Sequence, residues 1–80
     1  MQIQRVLDKY YPDTEDYAGE IDITYIPLEK LKEIFHPPDD DPLMYFVYNV
    51  GPEQAAILQR YVSEPIELER YLYQFGTYQV

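Results

Sequence analysis

Residues Asp39–Val50 constrain the fold more than any other stretch of the chain. Three carboxylates and Pro42 lead into the apolar run Leu43–Val50. Successive side chains of a strand point to opposite faces, and here both faces are apolar. A strand of this kind is covered on both sides. We therefore predict that Leu43–Val50 is the central strand of a sheet, with a block of negative charge at its N-terminal end.

The charge balance indicates a basic protein partner. Fifteen Asp and Glu residues oppose six Lys and Arg residues, for a formal net charge of −9. Direct binding to nucleic acid or to an anionic membrane surface is disfavoured, because both need clustered basic residues. A basic protein partner is favoured, since attraction between oppositely charged surfaces raises the rate of association. The alternative is that the acidity only keeps a small protein soluble.

Length and the lack of cysteine set further limits. A chain of 80 residues predicts a single domain over residues 1–80. The sequence has no cysteine, which excludes disulfides and cysteine-based zinc sites and suits a reducing compartment. No apolar run approaches the roughly 20 residues that cross a bilayer, and the first residues lack the pattern of a signal peptide. We therefore expect a cytoplasmic protein.

The first third of the chain predicts a β-hairpin. Gln2–Tyr11 reads as a strand, and Pro12–Asp16 is typical of a turn. Tyr17–Tyr25 has the clearest alternation in the chain, which predicts one inward-facing row. That row consists of Tyr17, Ile21, Ile23 and Tyr25. Gly19 falls in the inward phase and predicts a bulge or a close approach.

Two helices are predicted from apolar spacing and from prolines. Pro27–Phe35 has Pro27 at the first helical position and one apolar stripe at helical spacing. The prolines that follow His36 end this helix, because a residue before proline avoids the helical region. Gly51 and Pro52 open a second helix, which we predict to run through Val62.

The C-terminal stretch fits two interpretations. Residues 66–75 contain apolar side chains at helical spacing, whereas their aromatic content favours a strand. We predict a strand over Arg70–Gln79 after a loop at Ser63–Glu69. The element order is then β-β-α-β-α-β, which predicts an α+β two-layer domain with one four-stranded, mostly antiparallel sheet and two helices. If both helices lie on one face, the other face is partly open and rich in tyrosine.

No residue set is typical of catalysis or of metal binding. The adjacent carboxylates Asp39–Asp41 offer oxygen ligands but make a poor cage for calcium or magnesium. His36 is the only histidine, and we interpret it as a surface residue at a helix C-terminus. Ser63, the only serine, is not flanked like an activated nucleophile. We expect no enzyme, no cofactor and no metal. Asp39–Asp41 is then either a solvated loop or a docking site for a basic partner.

A second acidic cluster lies beside aromatic residues. Glu64, Glu67 and Glu69 precede Tyr71 and Tyr73. Carboxylates accept arginine forks in bidentate pairs, and tyrosine rings stack on guanidinium groups. The chain has ten tyrosines and no tryptophan, and tyrosine is enriched in interfaces. The alternative is a solvated loop followed by a core strand.

Four segments carry a resemblance to a known family. They are Glu20–Ile23, Asp40–Tyr45, Glu53–Tyr61 and Ile66–Tyr73. Together they resemble a family of very small, acidic bacterial proteins encoded near polymorphic toxins, which includes immunity proteins of contact-dependent growth inhibition systems. The resemblance runs from Glu20 to Val80 and rests on framework patterns, not on catalytic signatures.

The resemblance implies a function by binding. An immunity protein in the cytoplasm holds its cognate toxin domain, commonly a nuclease, in an inactive complex by occupying or blocking its basic active site. We expect a monomer in a one-to-one complex. The alternative is an acidic adaptor or a self-associating regulatory domain without a toxin partner. Physical reasoning on the residues, and not the resemblance, predicts the partner-binding set: Asp39, Asp40, Asp41, Tyr45, Glu64, Glu67, Glu69, Tyr71 and Tyr73.

Overall fold

One four-stranded antiparallel sheet and two helices make up the fold. The computed structural model describes residues 2–80. The strands lie in the order β2-β1-β4-β3, and every neighbouring pair is antiparallel. The predicted α+β fold and its element order are confirmed. Along the chain the elements are β1 (Ile3–Tyr10), β2 (Tyr17–Asp22), α1 (Leu28–Phe35), β3 (Tyr48–Asn49), α2 (Pro52–Leu58) and β4 (Leu72–Gln79).

The two central strands, β1 and β4, carry the core on one face. Leu7 of β1 lies opposite Phe75 of β4 and Ile21 of β2, and all three side chains are buried. Because successive side chains alternate, odd-numbered residues of β1 and β4 share this face and even-numbered residues face away. One hydrophobic core joins this face to both helices, so both helices cover the same side. The helix residues in that core are Leu31, Ile34, Ala55 and Leu58.

Helix α1 has nearly the predicted bounds. It follows Pro27 and ends at Phe35. His36 then adopts a left-handed conformation with φ of 51° and donates its backbone N–H to the carbonyl of Lys32 at 2.8 Å. This αL cap and the prolines after it stop the helix where the sequence predicts.

Helix α2 begins at Pro52 but is shorter than predicted. It ends at Leu58 and not at Val62. After Gln59, the N–H groups of Arg60 and Tyr61 donate to carbonyls three residues back, which tightens the chain into turns. The side chain of Gln59 then holds the chain in a loop by bonding backbone groups of Val62, Glu64 and Ile66.

The predicted central strand Leu43–Val50 is wrong. Only Tyr48–Asn49 forms a strand, and it pairs with β4 at the edge of the sheet. Met44 has a φ of 57°, which interrupts an extended run. The carboxylate of Asp41 also accepts two backbone N–H groups from the run, so these groups cannot pair with a neighbouring strand. The apolar run is a loop, and β1 is a central strand in its place.

The predicted hairpin is confirmed, although β2 ends before Tyr25. Its last residue is Asp22, whose carboxylate accepts the backbone N–H of Thr24 at 2.9 Å and its hydroxyl at 2.6 Å. This local bonding ends the regular strand at Asp22. Tyr25, predicted to face inward, is exposed, and its hydroxyl donates to the carbonyl of Tyr61.

The bulge predicted at Gly19 is present. Gly19 has a φ of 131°, and the register of β1 with β2 shifts between Lys9 and Tyr10. The extra residue changes the phase of β2, as a bulge does. Tyr17 therefore leaves the predicted inward row and is exposed, whereas Ile21 remains buried as predicted.

The strand interpretation of the C-terminal stretch is confirmed. Strand β4 begins at Leu72 and pairs with β1 through Gln79. Before it, the N–H groups of Arg70 and Tyr71 both donate to the carbonyl of Glu67 at 3.0 Å, forming a turn and not a helix. Within residues 2–80, neither helix has the length and apolar character needed to cross a bilayer.

Candidate partner-binding surfaces

One buried carboxylate organises the loop between α1 and β3. Asp41 is 3% exposed, and it accepts the backbone N–H groups of Tyr45 at 2.8 Å and Phe46 at 3.0 Å, together with the hydroxyl of Tyr48. Burial alone raises the pKa of Asp41, but these hydrogen bonds outweigh it and hold the pKa below its usual 3.8. The ionised Asp41 is engaged within the loop. The prediction that it contacts a partner is therefore corrected.

Four large apolar side chains of the same loop face solvent beside two carboxylates. Together we call these six residues the acidic–apolar loop: Asp39, Asp40, Leu43, Tyr45, Phe46 and Val47. Exposure of the apolar four ranges from 48% at Leu43 to 63% at Val47, and both carboxylates are exposed. An exposed apolar patch with a polar rim is typical of an interaction site.

Sequence reasoning found only half of this loop. Asp39, Asp40 and Tyr45 were predicted to bind the partner, and the structure brings them together. Leu43, Phe46 and Val47 were missed because they were assigned to a buried strand. The positive φ of Met44 separates them from the sheet, and apolar composition alone does not reveal it.

The second acidic cluster is partly neutralised by the chain's own cations. Glu64 pairs with Lys9 at 3.1 Å, and Glu67 pairs with Arg70 at 3.5 Å. The hydrogen bond that the Lys9 ammonium donates to Glu64 outweighs the opposing effect of burial and raises the pKa of Lys9. Glu69 is exposed. Two of the three predicted carboxylates therefore already hold basic side chains.

The two tyrosines of this cluster have different surroundings. Tyr73 is 3% exposed and lies in the core, where its hydroxyl accepts the backbone N–H of Glu67 at 3.0 Å. The prediction that it contacts a partner is corrected. Tyr71 is half-buried. Its ring lies 4.9 Å from Lys9 Nζ and 5.4 Å from the Arg70 guanidinium, so internal cations already lie against it.

The two predicted clusters lie at different positions along β4. The acidic–apolar loop is fixed near the C-terminal half of β4, where the hydroxyl of Thr77 donates to the carbonyl of Met44 at 2.8 Å. The second acidic cluster lies near Lys9, which is opposite Tyr73 in the sheet. Tyr73 and Thr77 are four residues apart, a distance of about 13 Å along β4.

A third surface is the sheet side away from the helices. We call it the tyrosine face, and it consists of Asp8, Tyr10, Tyr17, Glu20, Asp22, Leu72, Gln74 and Tyr78. The residues of β1 and β4 in this set are even-numbered, and β2 contributes Glu20 opposite Asp8 and Asp22 opposite Val6. Arg5 and Lys9 are odd-numbered and lie on the helix side. No Lys or Arg of the strands described therefore faces this side.

Two tyrosine hydroxyls on this face donate to carboxylates. The hydroxyl of Tyr78 bonds Asp8 at 2.6 Å, and that of Tyr17 bonds Glu20 at 2.9 Å. These hydrogen bonds, with burial and neighbouring negative charges, raise the pKa of each tyrosine to about 12. Both hydroxyls therefore remain protonated donors at neutral pH. The Tyr17 ring also contacts the Tyr10 ring edge-on, with centroids 6.0 Å apart.

The sequence predicted an open, tyrosine-rich face but did not select its residues. Alternation within β1 and β4 places Tyr10 and Tyr78 on this side once the inward phase is known. Tyr17 requires the bulge at Gly19, since regular alternation assigns it to the core. A partner-binding role for this face is not among the sequence predictions.

Comparison with known proteins places the chain in a family. Among residues 2–80, no group of three or more His, Cys, Asp or Glu side chains is arranged to hold a metal ion. Comparison with curated proteins gives no match. Residues 4–76 match a family described as a domain of unknown function, DUF7683. Because this match covers most of the 80 residues, the chain belongs to the DUF7683 family.

Proposed function

We propose that the chain is an immunity protein that binds and neutralises a cognate basic toxin domain, a nuclease, in the cytoplasm. The observation that carries the proposal is the acidic–apolar loop. Exposed apolar side chains supply contact area, and Asp39 and Asp40 supply charge that matches a phosphate-binding groove. The net charge of −9 acts in the same direction by accelerating encounter with a basic partner.

The loop is ordered before any partner arrives. Asp41 fixes the backbone of Tyr45 and Phe46 from beneath, while Met44 is fully buried and anchors the loop to the core. Ordering a loop on binding opposes association. A preorganised loop loses little conformational entropy on binding, which suits an inhibitor that must bind its toxin tightly.

Inhibition then follows from occlusion. The carboxylates of Asp39 and Asp40 lie where the phosphates of a nucleic acid would lie in the toxin, and the apolar residues Leu43, Phe46 and Val47 seal the contact against water. Fully burying an aliphatic or aromatic side chain contributes about 1.5–3 kcal/mol. Side chains that are already half-buried therefore contribute roughly half of that each.

Self-association is the second candidate function. The same apolar loop continues into β3, a two-residue edge strand, and an edge strand with exposed apolar neighbours can pair with another copy. This arrangement supports a self-associating regulatory domain. The oligomeric state of the isolated chain separates the two proposals: an immunity protein is a monomer that dimerises only with its toxin.

Co-expression tests the toxin proposal. The C-terminal domain of the neighbouring gene product is expressed with and without this chain, and cell survival and co-purification are measured. We expect rescue with a one-to-one complex. Asp39→Asn/Asp40→Asn should weaken the complex. The matched control Glu29→Gln/Glu33→Gln removes two charges from the exposed side of α1 and should not. Death despite a folded chain, or survival without the chain, overturns the proposal.

A further inference from the structure

The tyrosine face contains a depression suited to a cationic side chain. Its volume is about 260 Å³, and Tyr10, Glu15, Leu72 and Gln74 line it. Tyr10 and Leu72 lie opposite each other in β1 and β4, so an aromatic ring and an aliphatic side chain form adjacent walls. Glu15, from the turn between β1 and β2, adds a carboxylate. The lining thus combines apolar walls with a negative rim.

The sheet around the depression is negative as well. Asp8 lies opposite Gln74 on β4 and opposite Glu20 on β2. Lys9 is the nearest basic residue in sequence, but it points to the helix side and pairs with Glu64. A cation in the depression therefore contacts the Glu15 carboxylate, has Asp8 and Glu20 on the surrounding sheet, and meets no competing Lys or Arg from the strand residues of this face.

We propose that this depression binds an arginine side chain from an exposed, arginine-containing segment of a partner protein. The planar guanidinium group stacks on the Tyr10 ring and donates to the Glu15 carboxylate. The side-chain amide of Gln74 donates to Asn49 at 3.2 Å, which leaves the Gln74 oxygen as a second acceptor. Lysine has no planar fork and a more strongly hydrated charge, so arginine is the better fit.

The backbone at Glu15 supports a binding role. Glu15 has a φ of 61°, and its N–H donates to the carbonyl of Tyr11 at 2.7 Å. The left-handed region is uncommon for residues other than glycine and favours Asn over Glu. Glu at this position therefore costs stability relative to Asn, while it places a carboxylate at the rim of the depression.

This inference goes beyond the toxin-neutralising function and does not rest on it. The acidic–apolar loop is fixed to Thr77, an odd-numbered residue on the helix side of β4, whereas Leu72 and Gln74 face the other side. The two proposals can therefore fail separately. The arginine site is testable on the isolated chain, without any toxin.

Two synthetic peptides of equal length and equal charge, one arginine-rich and one lysine-rich, provide the test. Binding is measured by calorimetry near 0.15 M ionic strength, where the Debye length is about 8 Å and distant charges are screened. Amide chemical shifts locate the site. Glu15→Gln/Glu20→Gln, the face variant, removes one charge from the depression and one from the surrounding tyrosine face. Asp39→Asn/Asp40→Asn removes two charges from the acidic–apolar loop as a matched control.

We expect the arginine peptide to bind more tightly than the lysine peptide and to shift the amides of Tyr10, Leu72 and Gln74. The face variant should weaken arginine binding about tenfold, the loss of one charge-assisted hydrogen bond, and the control variant less than about twofold. Tyr10→Leu should reduce the preference for arginine while the fold, monitored by circular dichroism, is retained.

Three results overturn the proposal. Equal weakening by the face and control variants means that only net charge attracts the peptide. Equal affinity for both peptides removes the arginine preference. A dimer of the isolated chain that dissociates on Glu15→Gln/Glu20→Gln assigns the face to a second copy of this chain.

Discussion

Replacing Asp41 by Ala removes the acceptor of three hydrogen bonds at once. Two donors are the backbone N–H groups of Tyr45 and Phe46, and the third is the hydroxyl of Tyr48. Losing one hydrogen bond lowers the unfolding temperature of a domain of this size by about 4–8 °C. We therefore expect Asp41→Ala, which loses three, to lower it by roughly 12–24 °C. Asp41→Asn keeps one side-chain oxygen, so its effect should be about half as large.

Acidification should reproduce part of this loss. The pKa of Asp41 in the folded chain lies below the usual 3.8, so the unfolded chain binds the proton more readily. The stabilisation is fully present above pH 3.8 and is lost as the pH falls through that value towards the lower folded pKa. The hydrogen bonds from Thr24 also lower the pKa of Asp22, but Asp22 acts equally in wild type and in Asp41→Asn. Asp41→Asn should therefore lose less stability than the wild type when the pH is lowered.

Thermal denaturation by circular dichroism and hydrogen exchange at the amides of Tyr45 and Phe46 measure these effects. The control is Asp39→Asn/Asp40→Asn, which changes exposed neighbours of the same loop and should leave the unfolding temperature within about 2 °C. An unchanged unfolding temperature in Asp41→Ala, with both amides still protected, would refute the role of Asp41 as the organiser of the loop.

Three further predictions concern tyrosine hydroxyls and the turn between β1 and β2. In Gly76→Ala the new Cβ would lie 3.0 Å from the Tyr78 ring and hydroxyl, so the ring should move away from Asp8 and the pKa of Tyr78 should fall towards 10, as read by ultraviolet titration. Glu15→Asn should raise the unfolding free energy by about 1 kcal/mol in thermal denaturation, because Asn tolerates the left-handed region better; unchanged or lower stability would contradict this. Folding raises the pKa of the hydroxyls of Tyr17, Tyr48 and Tyr78 to about 12. The free energy of unfolding should therefore fall between about pH 10 and 12, because the stabilisation from these hydroxyls is lost as the pH rises. Replacing each tyrosine by phenylalanine should abolish the corresponding part of this loss.

Local signals predicted the elements whose ends are set by nearby residues. The prolines around α1 and the glycine at the bulge act within a few residues, so Pro27, His36 and Gly19 could be interpreted without knowledge of the rest of the fold. The ends of β2 and α2 were harder to predict from the sequence. They depend on side chains that bond the backbone, such as Thr24 and Gln59, in competition with regular structure.

The wrong predictions arose from contacts that the spacing of apolar residues does not reveal. Leu43–Val50 has strand composition, but the carboxylate of Asp41 takes its backbone donors and Met44 turns it out of an extended conformation. Tyr73 was misassigned because both phases of β4 carry aromatic or apolar side chains. The inward phase is set by the register with Leu7, a contact between distant parts of the chain, and that register buries Tyr73 together with Phe75.

The tyrosines and the acidic surplus have a common physical explanation. Three carboxylates accept a tyrosine hydroxyl, and two of them, Asp8 and Asp41, are buried. A neutral hydroxyl satisfies a buried carboxylate without adding a cation, and only three Lys or Arg ion pairs occur among residues 2–80. Folding therefore leaves most of the negative charge uncompensated, which destabilises the isolated chain by self-repulsion. The basic partner that we propose would relieve that repulsion and, by binding only the folded chain, would stabilise it further.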